Sequence, residues 1–117
     1  MGWTSWRMIA DRSTWYSDPL DHDGPACYEL AIAGPLGGDM RPVYVGETRN
    51  ERKRIASYAA HGSHLSEIID HHLEQGWCLW YRAQAMPSKS AAVAMQNRLL
   101  TQFDYDWNIQ LNADSKR

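Results

Sequence analysis

The sequence is poor in long apolar runs and in net charge, and each shortage excludes a class of protein. Its longest mainly apolar stretches, residues 26–33 and 77–81, are far shorter than the roughly 20 residues that cross a bilayer, so we expect no membrane partner. Twelve Lys and Arg stand against fourteen Asp and Glu, which gives a net charge of −2. A surface that binds nucleic acid indiscriminately would be basic, so any phosphate-binding site must be local.

Cysteine is also scarce. Cys27 and Cys78 are the only two, which is too few for the disulfide framework of a small secreted domain. Residues 1–10 contain no apolar run of the kind found in signal peptides, so we expect a cytoplasmic location. Two buried free thiols are the favoured interpretation of the cysteines, and a bridge between them stays open if their strands are neighbours.

Phenylalanine occurs once, whereas Trp and Tyr occur six times each in the 117 residues. Trp and Tyr carry a polar group that needs a hydrogen-bond partner or water, so we expect some of these rings to face a site or an interface. With 44% apolar and 22% charged residues, the composition is typical of one small globular domain.

Hydrophobic periodicity predicts an α+β domain over residues 25–108, with a three-stranded antiparallel sheet flanked by helices in the order ββααβα. The predicted strands are 27–33, 42–46 and 77–85, and the predicted helices are 50–60, 63–75 and 90–103. A Gly- and Pro-rich turn at 34–39 joins the first two strands into a hairpin. Residues 1–24 have no clear period and are predicted to form an irregular Trp-rich arm, and residues 109–117 a flexible tail.

Two pairs of polar residues stand on faces that this pattern would bury or line. Tyr28 and Tyr44 project from one face of the sheet if the hairpin register aligns them, and the plainer interpretation is two half-buried strand tyrosines. Arg54 and Tyr58 lie four residues apart on one helical face, where a guanidinium and a hydroxyl could hold a phosphate. The alternative is a solvated basic face, because residues 49–54 carry four cations at a helix start.

The last predicted helix carries a polar residue, Gln96, on its apolar stripe. The residues predicted to point inward from this helix are Val93, Met95, Leu99, Leu100 and Phe103. An amide in such a place needs a partner, either in a core hydrogen-bond network, which we slightly favour, or in a site at the edge of the sheet. Asn108, just beyond the helix, fits a plain turn residue.

The histidines invite a metal interpretation, because His61 and His64 are three residues apart and His71 and His72 are adjacent. A structural zinc site needs four ligands, and neither cysteine is near these histidines in sequence. We therefore do not favour structural zinc.

Three segments together resemble the GIY-YIG nuclease domain, and the resemblance covers residues 25–108. They are Ala26-Cys27-Tyr28, Val43-Tyr44-Val45-Gly46 and residues 49–58. The first motif is degenerate, since Ala26 stands where the family has Gly and Cys27 where it has an aliphatic residue. The second motif and the helix after it are closer, and the spacings of ten residues from Tyr44 to Arg54 and four from Arg54 to Tyr58 resemble the excision-repair branch.

The resemblance implies a DNA endonuclease that hydrolyses phosphodiester bonds with Mg²⁺ or Mn²⁺. It assigns Tyr28 and Tyr44 to lining the site and to orienting or deprotonating the attacking water. Arg54 would stabilise charge on the scissile phosphate, Tyr58 would lie within reach of that phosphate, and Asn108 would support the site.

Gln96 departs from the family, because the family has at this place a Glu that is its single protein ligand for the metal. A neutral amide is a poor anchor for a hard cation, so we expect the metal site to be weakened or lost and this chain to be inactive. Glu47 also departs, since many relatives have Lys there. Gln96 is either an engineered replacement or a natural change in a member that has given up cleavage, and the retained tyrosines and arginine favour the first.

The alternative function is a catalytically inactive module on the nuclease fold that binds nucleic acid or protein. A third is an interaction domain that uses the Trp-rich arm. The expected partners are DNA and a second protein bound through the arm, and dimerisation would allow both strands of DNA to be cut.

Overall fold

A computed structural model describes residues 2–15, 22–60 and 63–109. The elements in chain order are β1 (Arg7–Ala10), β2 (Ala26–Ala33), β3 (Arg41–Thr48), α1 (Glu51–Ala59), α2 (Ser66–Glu74), β4 (Cys78–Ala85) and α3 (Lys89–Gln102). The α+β class and the order ββααβα after the first strand are as predicted. His61 and most of the predicted tail lie outside the described residues, and the proposed domain boundaries stay predictions.

The sheet has four antiparallel strands in the order β1-β4-β2-β3, so the prediction of three strands was wrong. The additional strand lies in the arm predicted to be irregular, where Met8 pairs with Trp80 of β4. Just before it, the backbone N–H of Thr4 donates to the Ala83 carbonyl at 2.8 Å. Four residues are too few to show a period of two, and the partner strand lies about 70 positions away in sequence, so no local pattern announces β1.

The hairpin of β2 and β3 sets the positions of the candidate site. Tyr28 lies opposite Gly46, and Leu30 lies opposite Tyr44. Tyr28 and Leu30 are two apart and share a face, so both tyrosines project from the same face of the sheet, one step apart along it. The register shifts by one residue after Leu30, toward the turn.

The two faces of the sheet are covered by different helices. The front face carries Tyr28 and Leu30 and packs against residues of α1 and α2 such as Ile55 and Ile69. The back face carries Cys27, Glu29 and Val45 and packs against Leu99 and Met95 of α3, together with Tyr105 and Trp3. Strand β2 is buried along its whole length, since both of its faces are covered.

The helix ends follow from local chemistry. The side chain of Asn50 caps α1 by accepting from the Lys53 N–H at 3.0 Å, and Ser88 caps α3 by accepting from the Ala91 N–H at 3.1 Å. Gly76 follows α2 with φ +96°, a conformation that favours glycine. Phe103 was predicted to point inward, but α3 ends at Gln102 and Phe103 turns to extended backbone with 56% of its surface exposed.

The cysteines are both buried and free, as favoured from the sequence. Cys27 lies opposite Gln84 of β4, whereas Cys78 lies at the other end of that strand, opposite Ala33, so the pairing register rules out a bridge. None of the helices within the described ranges has the length and apolar character of a membrane span.

Candidate phosphate-binding site

Three of the residues singled out from the sequence meet on the front face. The hydroxyls of Tyr28 and Tyr58 are 2.6 Å apart and form a hydrogen bond in which either can be the donor. Arg54 donates from Nε to the Tyr28 oxygen at 3.1 Å, and its guanidinium carbon lies 5.3 Å from the centre of the Tyr58 ring. We call these residues, together with Tyr44, the Tyr–Arg cluster.

Tyr44 completes the cluster at its edge. Its ring centre is 6.3 Å from that of Tyr28, and the pair is tilted by 44°. On its other side the ring makes an edge contact with His64, at 6.2 Å between ring centres. His64 was considered from the sequence only as a metal ligand, and its place beside Tyr44 depends on how the segment before α2 folds back, which no spacing indicates.

Gly46 makes the cluster sterically feasible. A Cβ atom added at this position would lie 2.5 Å from the Tyr28 hydroxyl oxygen and 2.6 Å from the ring carbon that bears it. The Tyr28 ring is buried and has no free space to move into, so this approach requires glycine on β3. The glycine of the second motif therefore has a physical role, which is to let the Tyr28 ring lie across β3 toward α1.

Two phenols of the cluster, those of Tyr44 and Tyr58, are neutral at ordinary pH. Burial raises the pKa of Tyr44 to about 12, with a further rise from Tyr28 and an opposing effect of Arg54. Burial and the bond with Tyr28 also raise the pKa of Tyr58. Partial burial lowers the pKa of Arg54, but the three tyrosines raise it by more, so the guanidinium keeps its charge. The cluster thus presents one cation beside tyrosine hydroxyls.

Burial decides which member a ligand can touch. Tyr28 and Tyr58 each expose only 1% of their surface, and Tyr44 exposes 8%, whereas Arg54 is partly exposed. Among the residues that the structure describes, no carboxylate pairs with Arg54. Its neighbour Arg52 instead lies 3.7 Å from an oxygen of Asp23. Arg54 is therefore the group of the cluster that can contact an anion directly.

Gln96 forms no hydrogen bond with the Tyr–Arg cluster or with any other described residue. It lies half-buried on α3, the helix whose Met95 and Leu99 pack against the back face. The sequence could not settle whether its amide has a partner, because a position on an apolar stripe does not say which groups face it.

Asn108 holds the edge of the sheet. Its side-chain oxygen accepts from the Val45 N–H at 2.8 Å, and its side-chain nitrogen donates to the Val45 carbonyl at 3.0 Å. These two bonds satisfy the outward-facing backbone groups of an edge strand, between Tyr44 and Gly46. Asn108 thus fixes the strand that carries the cluster and does not contact the cluster's polar atoms.

A divalent metal does not fit the residues present. Within 2–15, 22–60 and 63–109 there is no group of three His, Cys, Asp or Glu side chains that could hold one. The nearby carboxylate of Glu47 forms an ion pair with Lys89, the phenols of Tyr44 and Tyr58 have raised pKa values, and Gln96 is an amide. Neutral oxygens are weak ligands for a hard cation, so these residues would hold a divalent metal poorly.

A second polar cluster, which the sequence did not indicate, lies on the back face. Glu29 is almost fully buried, and Arg82 donates to its Oε1 from Nε and Nη2, each at 2.7 Å. The hydroxyl of Tyr105 donates to the other carboxylate oxygen. A charged residue in the middle of a strand that is otherwise apolar was the available signal, because such a residue needs a buried partner.

The chain is similar in sequence and in fold to known proteins. The family profile of GIY-YIG domain-containing proteins matches residues 3–117. The Arabidopsis thaliana protein EFFECTOR OF TRANSCRIPTION 3 is 31% identical over 76% of this chain, and EFFECTOR OF TRANSCRIPTION 2 is 22% identical over 97% of it. The matched regions are 37% and 32% of those proteins, so the chain spans about a third of their length.

The fold is also similar to a solved structure, that of a variant of bacteriophage T4 EndoII. The TM-score is 0.63 at 19% sequence identity, and the match covers 90% of this chain and 89% of the other. The expected family is therefore confirmed by a profile that spans almost the whole sequence and by the arrangement of strands and helices. The chain belongs to the GIY-YIG domain family and has its nuclease fold.

Proposed function

We propose that this domain binds the phosphodiester backbone of DNA through Arg54 and does not cleave it. The observation that carries the proposal is a partly exposed guanidinium whose described partners are tyrosine hydroxyls and rings and not carboxylates. A cation without a carboxylate partner at a surface is free to bind an anion, and guanidinium groups bind phosphate oxygens in a forked geometry.

Tyr28 and Tyr58 act as positioning residues in this proposal. Their hydroxyls bond to each other, and Tyr28 accepts from Arg54 Nε. The side chain of Arg54 is therefore ordered when the protein folds. Less side-chain entropy is then lost when DNA binds, which favours affinity. The exposed cations Arg49 and Lys53 lie near the same end of α1 and would add contacts to neighbouring phosphates.

The absence of cleavage follows from the chemistry of the described side chains. Hydrolysis needs a group that activates water and a charge that stabilises the pentacoordinate phosphate. The raised pKa of Tyr44 and Tyr58 makes them poor bases at neutral pH, and the uncharged Gln96 stands where the resemblance places the family's metal-binding Glu. Arg54 alone supplies charge but no nucleophile.

The salt dependence of binding tests this proposal. We expect labelled duplex DNA to bind with an affinity that falls as salt rises, and Arg54→Met to reduce the slope of log K against log salt by about 1. Arg52→Met, on the same helix and paired with Asp23, is the matched control and should change affinity less. Equal losses in the two variants would mean that the helix contributes only diffuse charge.

A second candidate is a metal-dependent endonuclease that Gln96 has inactivated, favoured by the intact constellation of Tyr28, Tyr44, Arg54 and Tyr58. It predicts that Gln96→Glu nicks supercoiled plasmid in Mg²⁺ or Mn²⁺ while the original chain does not. Nicking by the Glu form would support this candidate, and intact plasmid over a range of metals would favour the binding module.

The names of the two Arabidopsis proteins suggest a setting for such binding. Both are called effectors of transcription, and a domain that holds DNA without cutting it is compatible with that description. We propose the same setting for this chain. A protein partner or a second copy, bound through the Trp-rich arm at 1–24, stays part of the proposal.

A further inference from the structure

A cavity of about 370 Å³ lies on the back face, away from the Tyr–Arg cluster. Its lining is mostly apolar and includes the rings of Trp3, Phe103 and Tyr105 and the charged groups of Glu29, Arg82 and Asp104. Ligand pockets occupy about 300–1,000 Å³, so this one suits a side chain or a small ligand. None of the residues proposed to bind DNA lines this cavity.

The aromatic residues of the cavity form a corner. The rings of Phe103 and Tyr105 meet nearly at right angles, with an interplanar angle of 79° and 6.5 Å between their centres. Trp3, from the segment that precedes β1, lines the same cavity. Phe103 leaves 56% of its surface exposed at the end of α3, where an apolar side chain gains little for folding.

The cavity already holds a cation against aromatic rings. The guanidinium carbon of Arg82 lies 4.6 Å from the Trp3 ring centre and 4.6 Å from that of Trp6. Arg82 is neutralised by Glu29, to which it donates at 2.7 Å. Asp104, in contrast, is exposed and forms no ion pair within the described ranges, so the lining keeps one uncompensated negative charge.

We propose that this cavity binds the methylated ammonium group of a lysine side chain in a partner peptide. Aromatic faces attract cations, and an alkylated ammonium is less strongly hydrated than a free one, so it enters such a cavity at lower cost. Asp104 supplies the opposite charge. The aliphatic stem of the lysine packs on the exposed Phe103. A small cation without such a stem would not make this contact.

The site explains two features that DNA binding leaves aside. The Trp residues of the N-terminal segment line and support the cavity, and an exposed Phe gains a function at its mouth. Because the cavity and the Tyr–Arg cluster are on opposite faces of the sheet, either proposal can fail without the other.

The test is a titration of the full chain with a short peptide that contains trimethyllysine, followed by Trp fluorescence or by NMR. The same peptide with unmodified lysine, and with a tert-butyl analogue that has the same shape but no charge, separates charge from size. Free tetramethylammonium serves as a competitor. Phe103→Leu keeps an apolar side chain but removes the ring, and Asp104→Asn removes the charge.

We expect the trimethyllysine peptide to bind at least tenfold more tightly than the uncharged analogue. Each of the two variants should weaken binding by roughly 3- to 10-fold while thermal unfolding is unchanged. Leu36→Ala, at a residue that is 99% exposed and outside the cavity, should have no effect. Equal binding of the charged and uncharged peptides, or no saturable binding at millimolar peptide, would overturn the proposal.

Discussion

The two faces of the sheet each hold a polar cluster, and the clusters differ in how their charge is balanced. On the back face the buried Glu29 receives hydrogen bonds from Arg82 and Tyr105, so a carboxylate, a cation and a phenol satisfy one another. On the front face Arg54 is bonded to Tyr28 and lies over the ring of Tyr58, with no described carboxylate beside it. We call the back-face cluster closed, because its charges are paired within the protein. The cation of the front-face cluster has no anionic partner among the described residues.

This difference in charge balance gives the back-face cluster a structural role and the front-face cluster a binding role. A buried ion pair with all its hydrogen bonds made gives the fold a specific arrangement but has nothing left to offer a ligand. A cation held by neutral groups costs the protein some stability and can recover it when an anion binds. The comparison therefore predicts that breaking the Glu29–Arg82 pair will affect mainly stability and that removing Arg54 will affect mainly DNA binding.

The largest expected effect comes from breaking the closed cluster. Arg82→Met leaves the carboxylate of Glu29 buried without its cation, which we expect to lower the free energy of unfolding by about 3 kcal/mol. Arg54→Met removes a cation of similar size that has no carboxylate partner, so we expect a loss of about 1 kcal/mol. Urea unfolding of both variants measures the difference, and losses of equal size would show that the two clusters are not distinct in this way.

Gly46→Ala should have the next largest effect, because the new Cβ meets the Tyr28 hydroxyl at 2.5 Å. Such overpacking costs about 2 kcal/mol and would displace Tyr28 from Arg54 and Tyr58. We expect unfolding at lower urea and weaker DNA binding together. Gly34→Ala, where an added Cβ meets no atom within 4 Å, is the control for the general cost of replacing glycine.

Tyr58→Phe should have a smaller effect on stability, of about 1 kcal/mol, because it removes one hydroxyl hydrogen bond and leaves the ring in place. DNA affinity should fall as well, since Arg54 loses part of its support. In an Arg54→Met background the same substitution should leave the remaining affinity unchanged. A loss of equal size in both backgrounds would mean that Tyr58 contacts DNA independently of Arg54.

The smallest effect on stability at neutral pH is expected from two buried groups, the thiol of Cys27 and the phenol of Tyr44. Their effect becomes measurable at high pH, where they lose a proton. The pKa of Cys27 on the back face is raised from 9.0 to about 12, mainly by burial, and that of Tyr44 on the front from 10.0 to about 12. A pKa raised in the folded state stabilises below the unfolded pKa, and this stability is lost as pH rises through the folded pKa.

Stability should therefore begin to fall near pH 9 on account of Cys27, and fall further from pH 10 on account of Tyr44. Cys27→Ala should reduce the decline that begins near pH 9, to which Cys78 also contributes, and Tyr44→Phe should reduce it only above pH 10, where Tyr58 and Tyr105 contribute as well. Thermal unfolding as a function of pH gives both profiles. The same profile in wild type and both variants would contradict the burial of these groups.

The sequence predicted those parts of the site that depend on local geometry. Arg54 and Tyr58 are one helical turn apart, so their proximity follows from the helix itself, and the Asn50 cap fixes where that helix starts. The shared face of Tyr28 and Tyr44 follows from alternation along a hairpin whose turn was recognisable. In each case the two residues lie on the same helix or the same hairpin, so their relative position follows from the geometry of that one element.

The parts that could not be predicted depend on contacts between distant segments. Strand β1 pairs with β4, and the Glu29 cluster needs residues from β2, β4 and the segment after α3. Asn108 fits a turn by its sequence, yet it pairs with Val45, 63 positions earlier. Such arrangements are set by packing of the whole domain, which no local pattern encodes.

The most direct test of the central claim is the affinity of the chain for a short DNA duplex measured in EDTA and in Mg²⁺. Because Arg54, held in place by the phenols, binds phosphate without a metal, we predict the same dissociation constant in both buffers, about tenfold weaker in Arg54→Met. Binding that disappears in EDTA, or that Arg54→Met leaves unchanged, would contradict the account.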